Sequence, residues 1–262
     1  MAAETGNGPA LLEVDGVVKR FGGIDAVNGA GFTVERQSVT ALIGPNGAGK
    51  TTLFNLVTGF AQADRGSVRF DGEEVAGMPS YAIARRGMVR TFQLARALAA
   101  MPVLDNMMLA APEQPGERLR NVLLRPRAVR AREREVHEQA LELLEVFGLG
   151  EKADDYAGTL SGGQRKLLEL ARALMARPRM LLLDEPMAGI NPTLGRRLLD
   201  HIQRLRSEEG MTFLFVEHDM EVVMNHSDRV VVMAEGRVIA SGEPHEVRSD
   251  PAVVDAYLGS PA

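Results

Sequence analysis

The 262-residue chain contains no cysteine, so neither a disulfide nor a thiolate-ligated zinc site is open to it. That fits a reducing compartment. No stretch approaches the roughly eighteen consecutive apolar residues of a membrane-spanning helix. The opening MAAETGNGPA has neither the basic segment nor the apolar core of a secretion signal. The chain is therefore expected to be neither exported nor inserted, and any membrane role must come through a partner. Basic charge is not in excess: 30 Lys and Arg against 35 Asp and Glu leave a formal charge of −5, which gives no reason to expect a nucleic-acid partner. Internal repeats and low-complexity tracts are missing as well. With 45% hydrophobic and 25% charged residues, the composition suits one substantial core or two coupled subdomains.

Against these absences stands Gly44–Thr51, GPNGAGKT, at the end of the apolar run SVTALI (Ser38–Ile43). Each fixed position of G-x-x-x-x-G-K-[ST] has a mechanical reason. Gly44, Gly47 and Gly49 let the backbone curl with its N–H groups inward, a nest for phosphate oxygens that a Cβ would obstruct. Lys50 reaches the β- and γ-phosphates, and the Thr51 hydroxyl is placed for Mg²⁺. Pro45, Asn46, Ala48 and the following Thr52 complete the candidate nucleotide-binding set. Apolar spacing at Leu53, Leu56 and Val57 predicts a helix behind the loop, so the phosphates would meet a helix N-terminus. A bare glycine turn would not require Lys-Thr after its last glycine.

Further along, MLLLDEP (Met180–Pro186) is an apolar run ending in two acids, as expected of a buried parallel strand that delivers carboxylates to a sheet edge. Asp184 would hold Mg²⁺ and Glu185 would orient or deprotonate the attacking water. On its own such a run is often a solvated strand end. Just upstream lies LSGGQ (Leu160–Gln164), where Ser161 is a good N-cap and Gly162 and Gly163 leave N–H groups exposed ahead of GQRKLLELARALMARP.

A P-loop, LSGGQ and a D-E strand in this order resemble the ATP-binding cassette (ABC) ATPases. The resemblance implies an α/β P-loop NTPase core with an antiparallel β subdomain and an inserted α-helical subdomain, using ATP and Mg²⁺. It also implies roles for residues that mean little alone. Phe21 in KRFGG would stack on adenine, Gln93 in RTFQ would join the metal and water to the transporter-facing subdomain, and His218 in FLFVEHDM would contact the γ-phosphate. Catalysis would fall to Lys50, Glu185 and His218, metal binding to Thr51, Gln93 and Asp184. In this family a second subunit's signature helix closes on the nucleotide, so Ser161, Gly162, Gly163 and Gln164 would serve a neighbour. One P-loop and one LSGGQ per chain make the working unit a homodimer or heterodimer. In one place the chain departs from the family: after Glu185-Pro186 it reads MAGIN, with Asn191 where an aspartate is usual.

FGG, GPNGAGKTTLFNLVTGF, RTFQ, MAGINP, VEHDM and the ending GEPHEVRSDPAVVDAYLG look like the ATPase subunit of a branched-chain amino acid importer. That implies transmembrane permease subunits, a solute-binding protein met only indirectly, and a peripheral position on the cytoplasmic membrane face. Alternatives are ATPases of lipopolysaccharide export or of amide, urea or aromatic-acid import, and a soluble ABC protein acting on ribosomes or DNA.

The organisation expected is a flexible tail (1–10), an ATPase core (11–92 and 177–242), a helical signature subdomain (93–176) and a C-terminal helical tail (243–262). Within the helical part, seven arginines fall between Arg118 and Arg134. Two readings stand. The stretch is a basic patch facing lipid head groups or an acidic partner, or it is a solvated helix face, with Glu133, Glu135 and Glu138 interleaved and an apolar stripe at Val136, Ala140, Leu143, Leu144 and Phe147.

Overall fold

A computed structural model describes residues 10–91 and 98–258, so the tail expected at 1–10 and the expected metal and water contact Gln93 lie almost entirely or entirely outside the described residues. The chain forms two compact units, one from 1–90, 179–187 and 199–262, the other from 91–178 and 188–198.

In chain order the first unit contributes β1 (Leu12–Phe21), β2 (Ile24–Val34), β3 (Val39–Ile43), α1 (Lys50–Val57), β4 (Arg65–Phe70), β5 (Glu73–Glu74), α2 (Ser80–Arg85) and β6 (Met88–Arg90). The second contributes α3 (Val103–Met108), α4 (Leu119–Leu124), α5 (Pro126–Val146) and α6 (Gly162–Leu174). The chain then returns through β7 (Met180–Asp184), passes along α7 (Pro192–Glu209), and finishes with β8 (Thr212–Val216), α8 (Met220–His226), β9 (Arg229–Ala234), β10 (Arg237–Gly242), α9 (Pro244–Ser249) and α10 (Pro251–Leu258).

The first unit carries two sheets. An antiparallel sheet runs β2-β1-β4-β5, with β1 and β2 closed by a tight turn at Gly22-Gly23 where Phe21 pairs with Ile24. A six-stranded sheet runs β10-β9-β3-β8-β7-β6, parallel throughout except for the edge strand β10. Strands β3, β7 and β8 are buried at every residue. That is why they read as unbroken apolar runs rather than as alternations: a parallel strand covered on both faces has no polar side to show. Leu42, Phe54, Phe70, Leu182, Leu214 and Met233 share one core that spans both sheets and α1. The α/β core and antiparallel β subdomain expected from the sequence are thus both present.

In the second unit α3 packs on α5 and α6. Val136, Ala140 and Leu144 of α5 are fully buried, as the apolar stripe requires. Asn106 is buried too, and its side chain accepts from the Leu98 N–H and donates to the carbonyls of Leu98, Met101 and Pro102. It clamps the turn ahead of α3 with every polar group satisfied. One expectation needs correction. The sequence places residues 188–198 in the core segment 177–242, but they cluster with the helical unit. The reason is local: Lys166 bonds the Ala188 carbonyl, and a Cβ on Gly163 would lie 2.4 Å from Leu194 Cδ2, so the start of α7 is packed onto the start of α6.

Candidate active site

Strands β3, β8 and β7 are neighbours in the parallel sheet, and their C-terminal ends lead directly into Gly44, Glu217-His218 and Asp184-Glu185. In open parallel sheets ligands bind beyond the carboxyl ends of the strands.

The glycine loop is shaped as its sequence demands. Gly44, Gly47 and Gly49 have φ of +149°, +80° and +97°, the half of backbone space that side chains avoid. A Cβ on Gly44 would lie 2.1 Å from the Met233 carbonyl oxygen, and one on Gly49 would lie 2.3 Å from that of Ala26. The loop is therefore pressed against its own scaffold at both ends. Gly49 caps α1 with its backbone in the left-handed region and no side chain satisfies the first-turn N–H groups, which leaves them for an anion. Lys50 Nζ donates to the Gly44 and Pro45 carbonyls at 2.7 and 2.9 Å. Burial pulls its ammonium below the usual lysine range, while Glu185 and then Asp184 pull the other way, which puts both carboxylates in electrostatic reach of the lysine. Thr51 is exposed at the loop mouth.

Asp184 is 6% exposed and forms a 2.7 Å ion pair with Arg90 of β6. The same guanidinium donates to Asn55 Oδ1 at 2.6 Å and lies over the rings of Phe54 and Phe60. A buried carboxylate without such a partner would be costly to keep ionised. Glu185 sits at φ +48° with its N–H bonded to the Val216 carbonyl, 3.0 Å away, so the backbone at the expected catalytic acid is held in a sparsely used conformation by the neighbouring strand.

His218 has a largely exposed side chain, 69%, whereas the carboxylate before it, Glu217, is completely covered. Glu217 accepts the Met187 N–H at 2.8 Å and the His218 N–H at 3.2 Å. Burial pushes its carboxyl above the usual glutamate range, and the N–H groups of Met187, His218 and Asp219 only partly offset this. Glu217 thus ties the loop after β7 to the loop after β8. Phe21, at the end of β1, is 54% exposed with Lys19 Nζ over its ring, 5.4 Å from the centre, an exposed aromatic of the kind a base can stack on.

In the second unit the signature turn forms its own closed motif. Ser161 Oγ accepts the Gln164 N–H at 3.2 Å and Gln164 Oε1 accepts the Ser161 N–H at 2.9 Å, a complete capping box. Asn191, the departure from the family pattern, accepts the Leu194 N–H at 2.9 Å and so caps the start of α7.

Arg90 and Glu217 were missed by sequence reasoning, as was the return of the C-terminal tail to the P-loop. A cavity of about 530 Å³ is lined by Pro45, Asn46 and Gly47 on one side and by Ala252, Asp255 and Ala256 of α10 on another. Among the described residues no three His, Asp or Glu side chains gather as a metal cage. The oxygen donors available, the Thr51 hydroxyl and the Asp184 carboxylate, suit a hard cation that takes its remaining ligands from phosphate and water.

A glycine nest pressed on a parallel sheet, an uncapped helix behind it and two acids on the next strand but one define a P-loop nucleoside triphosphatase. The comparisons narrow the class. Residues 27–188 match the family model described as ABC transporter, and residues 237–262 match one described as Branched-chain amino acid ATP-binding cassette transporter. The chain belongs to the ABC transporter family and is one of its ATPases. It is 47% identical to the high-affinity branched-chain amino acid transport ATP-binding protein BraF of Pseudomonas aeruginosa, over 95% of this chain and 98% of that one. It is 42% identical to a probable branched-chain amino acid transport ATP-binding protein LivG of Archaeoglobus fulgidus, over 95% and 96%, and 41% identical to LivG of Escherichia coli, over 95% and 98%. Among solved structures it is similar to a nucleotide-free ATP-binding cassette from an ABC transporter, with TM-score 0.82, 39% identity, and 96% and 100% of the two chains covered. A cassette in its ADP conformation also has TM-score 0.82, at 37% identity over 97% and 100%.

Proposed function

We propose that this chain binds and hydrolyses ATP to drive a membrane importer of branched-chain amino acids. The observation that carries the reading is the arrival of Lys50, the Asp184-Glu185 pair and His218 at the ends of three adjacent strands, in a chain whose last 26 residues fit the branched-chain transporter model. Lys50 and the loop N–H groups hold the β- and γ-phosphates, Phe21 stacks on adenine, and Thr51, Asp184 and Gln93 would hold a Mg²⁺, which would screen phosphate charge. Glu185 orients the attacking water and takes its proton, and His218 contacts the γ-phosphate. Pro45, Asn46, Ala48 and Thr52 complete the cradle. Ser161, Gly162, Gly163 and Gln164 close on the nucleotide of a second ATPase subunit, identical or a sister.

Because each ATP gains further contacts in the closed pair beyond those to its own P-loop, that extra binding energy shifts the dimer from open to closed and hydrolysis releases it. Permease subunits hold the pair at the cytoplasmic face of the membrane, and a solute-binding protein feeds the permease. No helix among the described residues is long and apolar enough to cross a membrane. Nucleic acid has no part in the cycle.

Glu185→Gln tests the hydrolytic half: turnover should fall by about 10²–10⁴-fold while ATP binding persists and the closed dimer lives longer. Parent-level turnover would remove Glu185 from the mechanism. Loss of leucine, isoleucine and valine uptake on deleting the gene, restored by the parent but not by Glu185→Gln, tests the transport half.

A further inference from the structure

The arginine-rich stretch is not uniform. In α5 it behaves as a solvated amphipathic helix, with Val136, Ala140 and Leu144 inside and the charges outside. α4 does the opposite. Leu119, Leu123 and Leu124 are 76%, 73% and 79% exposed, and Val122 is 42% exposed. Leu119, Val122 and Leu123 stand at i, i+3 and i+4, so they form one ridge. A solvated face does not explain bulky side chains left contiguous in water, and patches of this kind mark interaction surfaces.

The chemistry around the ridge says what it meets. From Arg118 to Arg132 the chain has six arginines and no carboxylate. Arg118, Arg120, Arg125 and Arg127 are exposed, and among the described residues the nearest arginine of the stretch with an acidic partner is Arg132, bonded to Glu135. A hollow of about 340 Å³ lies among Arg118, Arg120, Asn121, Leu124 and Arg125, of a size to admit a phosphate group between guanidinium forks. Apolar tips combined with unpaired guanidinium groups match a bilayer surface: the apolar atoms enter the acyl boundary while the arginines bind phosphate oxygens.

We propose that α4 and its flanking arginines form a docking surface for anionic lipid head groups, a direct membrane contact separate from the permease. The proposal rests on membership of a membrane-transporter family, not on the identity of the solute.

The chain has no tryptophan, so Leu123→Trp in the full-length protein supplies a single reporter. It would be titrated with vesicles of phosphatidylcholine alone and of phosphatidylcholine containing about one-third phosphatidylglycerol. We expect a blue shift and co-sedimentation with the anionic vesicles only, weakened by high salt. In co-sedimentation, Leu119→Asp with Leu124→Asp should weaken partitioning by about tenfold or more, and Arg120→Gln with Arg125→Gln by about tenfold. ATP turnover without vesicles should match the parent in each variant, since α4 holds no residue of the nucleotide site. Equal partitioning to neutral and anionic vesicles, or undiminished binding by the double aspartate variant, would overturn the proposal. So would a parent that ignores vesicles but loses self-association, or assembly with detergent-solubilised permease, when the ridge is made acidic; the ridge would then be a protein interface. A parent that binds anionic vesicles yet imports no branched-chain amino acid leaves the lipid surface standing and removes only the solute assignment.

Discussion

The N-termini of α1 and α6 both follow glycine-bearing turns, and each presents first-turn N–H groups that an anion can use. Their local chemistry differs. At α1 the cap is Gly49 in the left-handed conformation, with no side chain to satisfy the helix start and two glycines jammed against backbone carbonyls. At α6 the turn satisfies itself through the reciprocal Ser161 and Gln164 bonds, and Gly162 has open space around it. The first is built around a ligand it must receive. The second is stable alone, and its open glycine is where something from outside can approach. That contrast suits the composite site proposed above: one half shaped for the phosphates, the other able to wait.

The strongest way to break the contrast is Lys50→Ala. Removing the loop cation should lower ATP turnover by about 10²–10³-fold or more and weaken nucleotide binding to the isolated chain, read by a fluorescent ATP analogue. Normal affinity would mean that the loop N–H groups suffice. Next, Arg90→Leu tests whether the phosphate-binding half depends on its buried ion pair: with Asp184 left uncompensated, unfolding free energy should drop by about 3–5 kcal/mol, measured by urea denaturation. Restoring the balance with Asp184→Asn in the same chain should recover part of that loss. Ser161→Ala, on the other side, should cost about 1 kcal/mol of stability and leave ATP affinity of the isolated chain unchanged, yet lower turnover. A fall in affinity equal to that of Lys50→Ala would erase the distinction between the two helix starts.

The smallest effect expected is in the Glu217 linkage. Its folded carboxyl binds a proton more tightly than the unfolded chain does, so its contribution to stability falls as pH rises from the ordinary glutamate range through the raised folded value. Glu217→Gln keeps an oxygen for the Met187 N–H and removes the buried charge. The variant should be more stable than the parent at neutral pH, with the gap closing in acid, as followed by urea midpoints across pH.

Much of this is legible in the sequence. The glycines at Gly44, Gly47 and Gly49 announced the loop because only a chain needing positive φ and close backbone approach spaces them so. Strands β3 and β7 are legible in the sequence because burial on both faces leaves an apolar run. Glu217 was hidden because a charged residue at the end of such a run reads as the point where the strand meets water. It is buried with the Met187 N–H on its carboxylate, thirty positions away in sequence. Arg90 was hidden because β6 has three residues, too few to show a period. The stretch from Arg118 to Arg134 carried both of its readings, and only burial separated them: α5 is the solvated face, and α4 is not. The assignment of 188–198 to the core followed chain continuity with β7, while packing on α6 decided otherwise.

The ion pair between Arg90 and Asp184 has a consequence for what the loop admits. Among the described residues, Lys50 feels the field of Glu185 and then of Asp184, while Arg90 pairs with Asp184, so these two cations and two carboxylates offset one another. A bare triphosphate would bring several negative charges to a site where, among these four side chains, the loop N–H groups and not an excess of cations must meet them. A magnesium–nucleotide complex arrives with about half that charge already cancelled. In the proposed ATP site, a nucleotide whose charge is already partly cancelled would therefore meet a smaller electrostatic cost than a bare one.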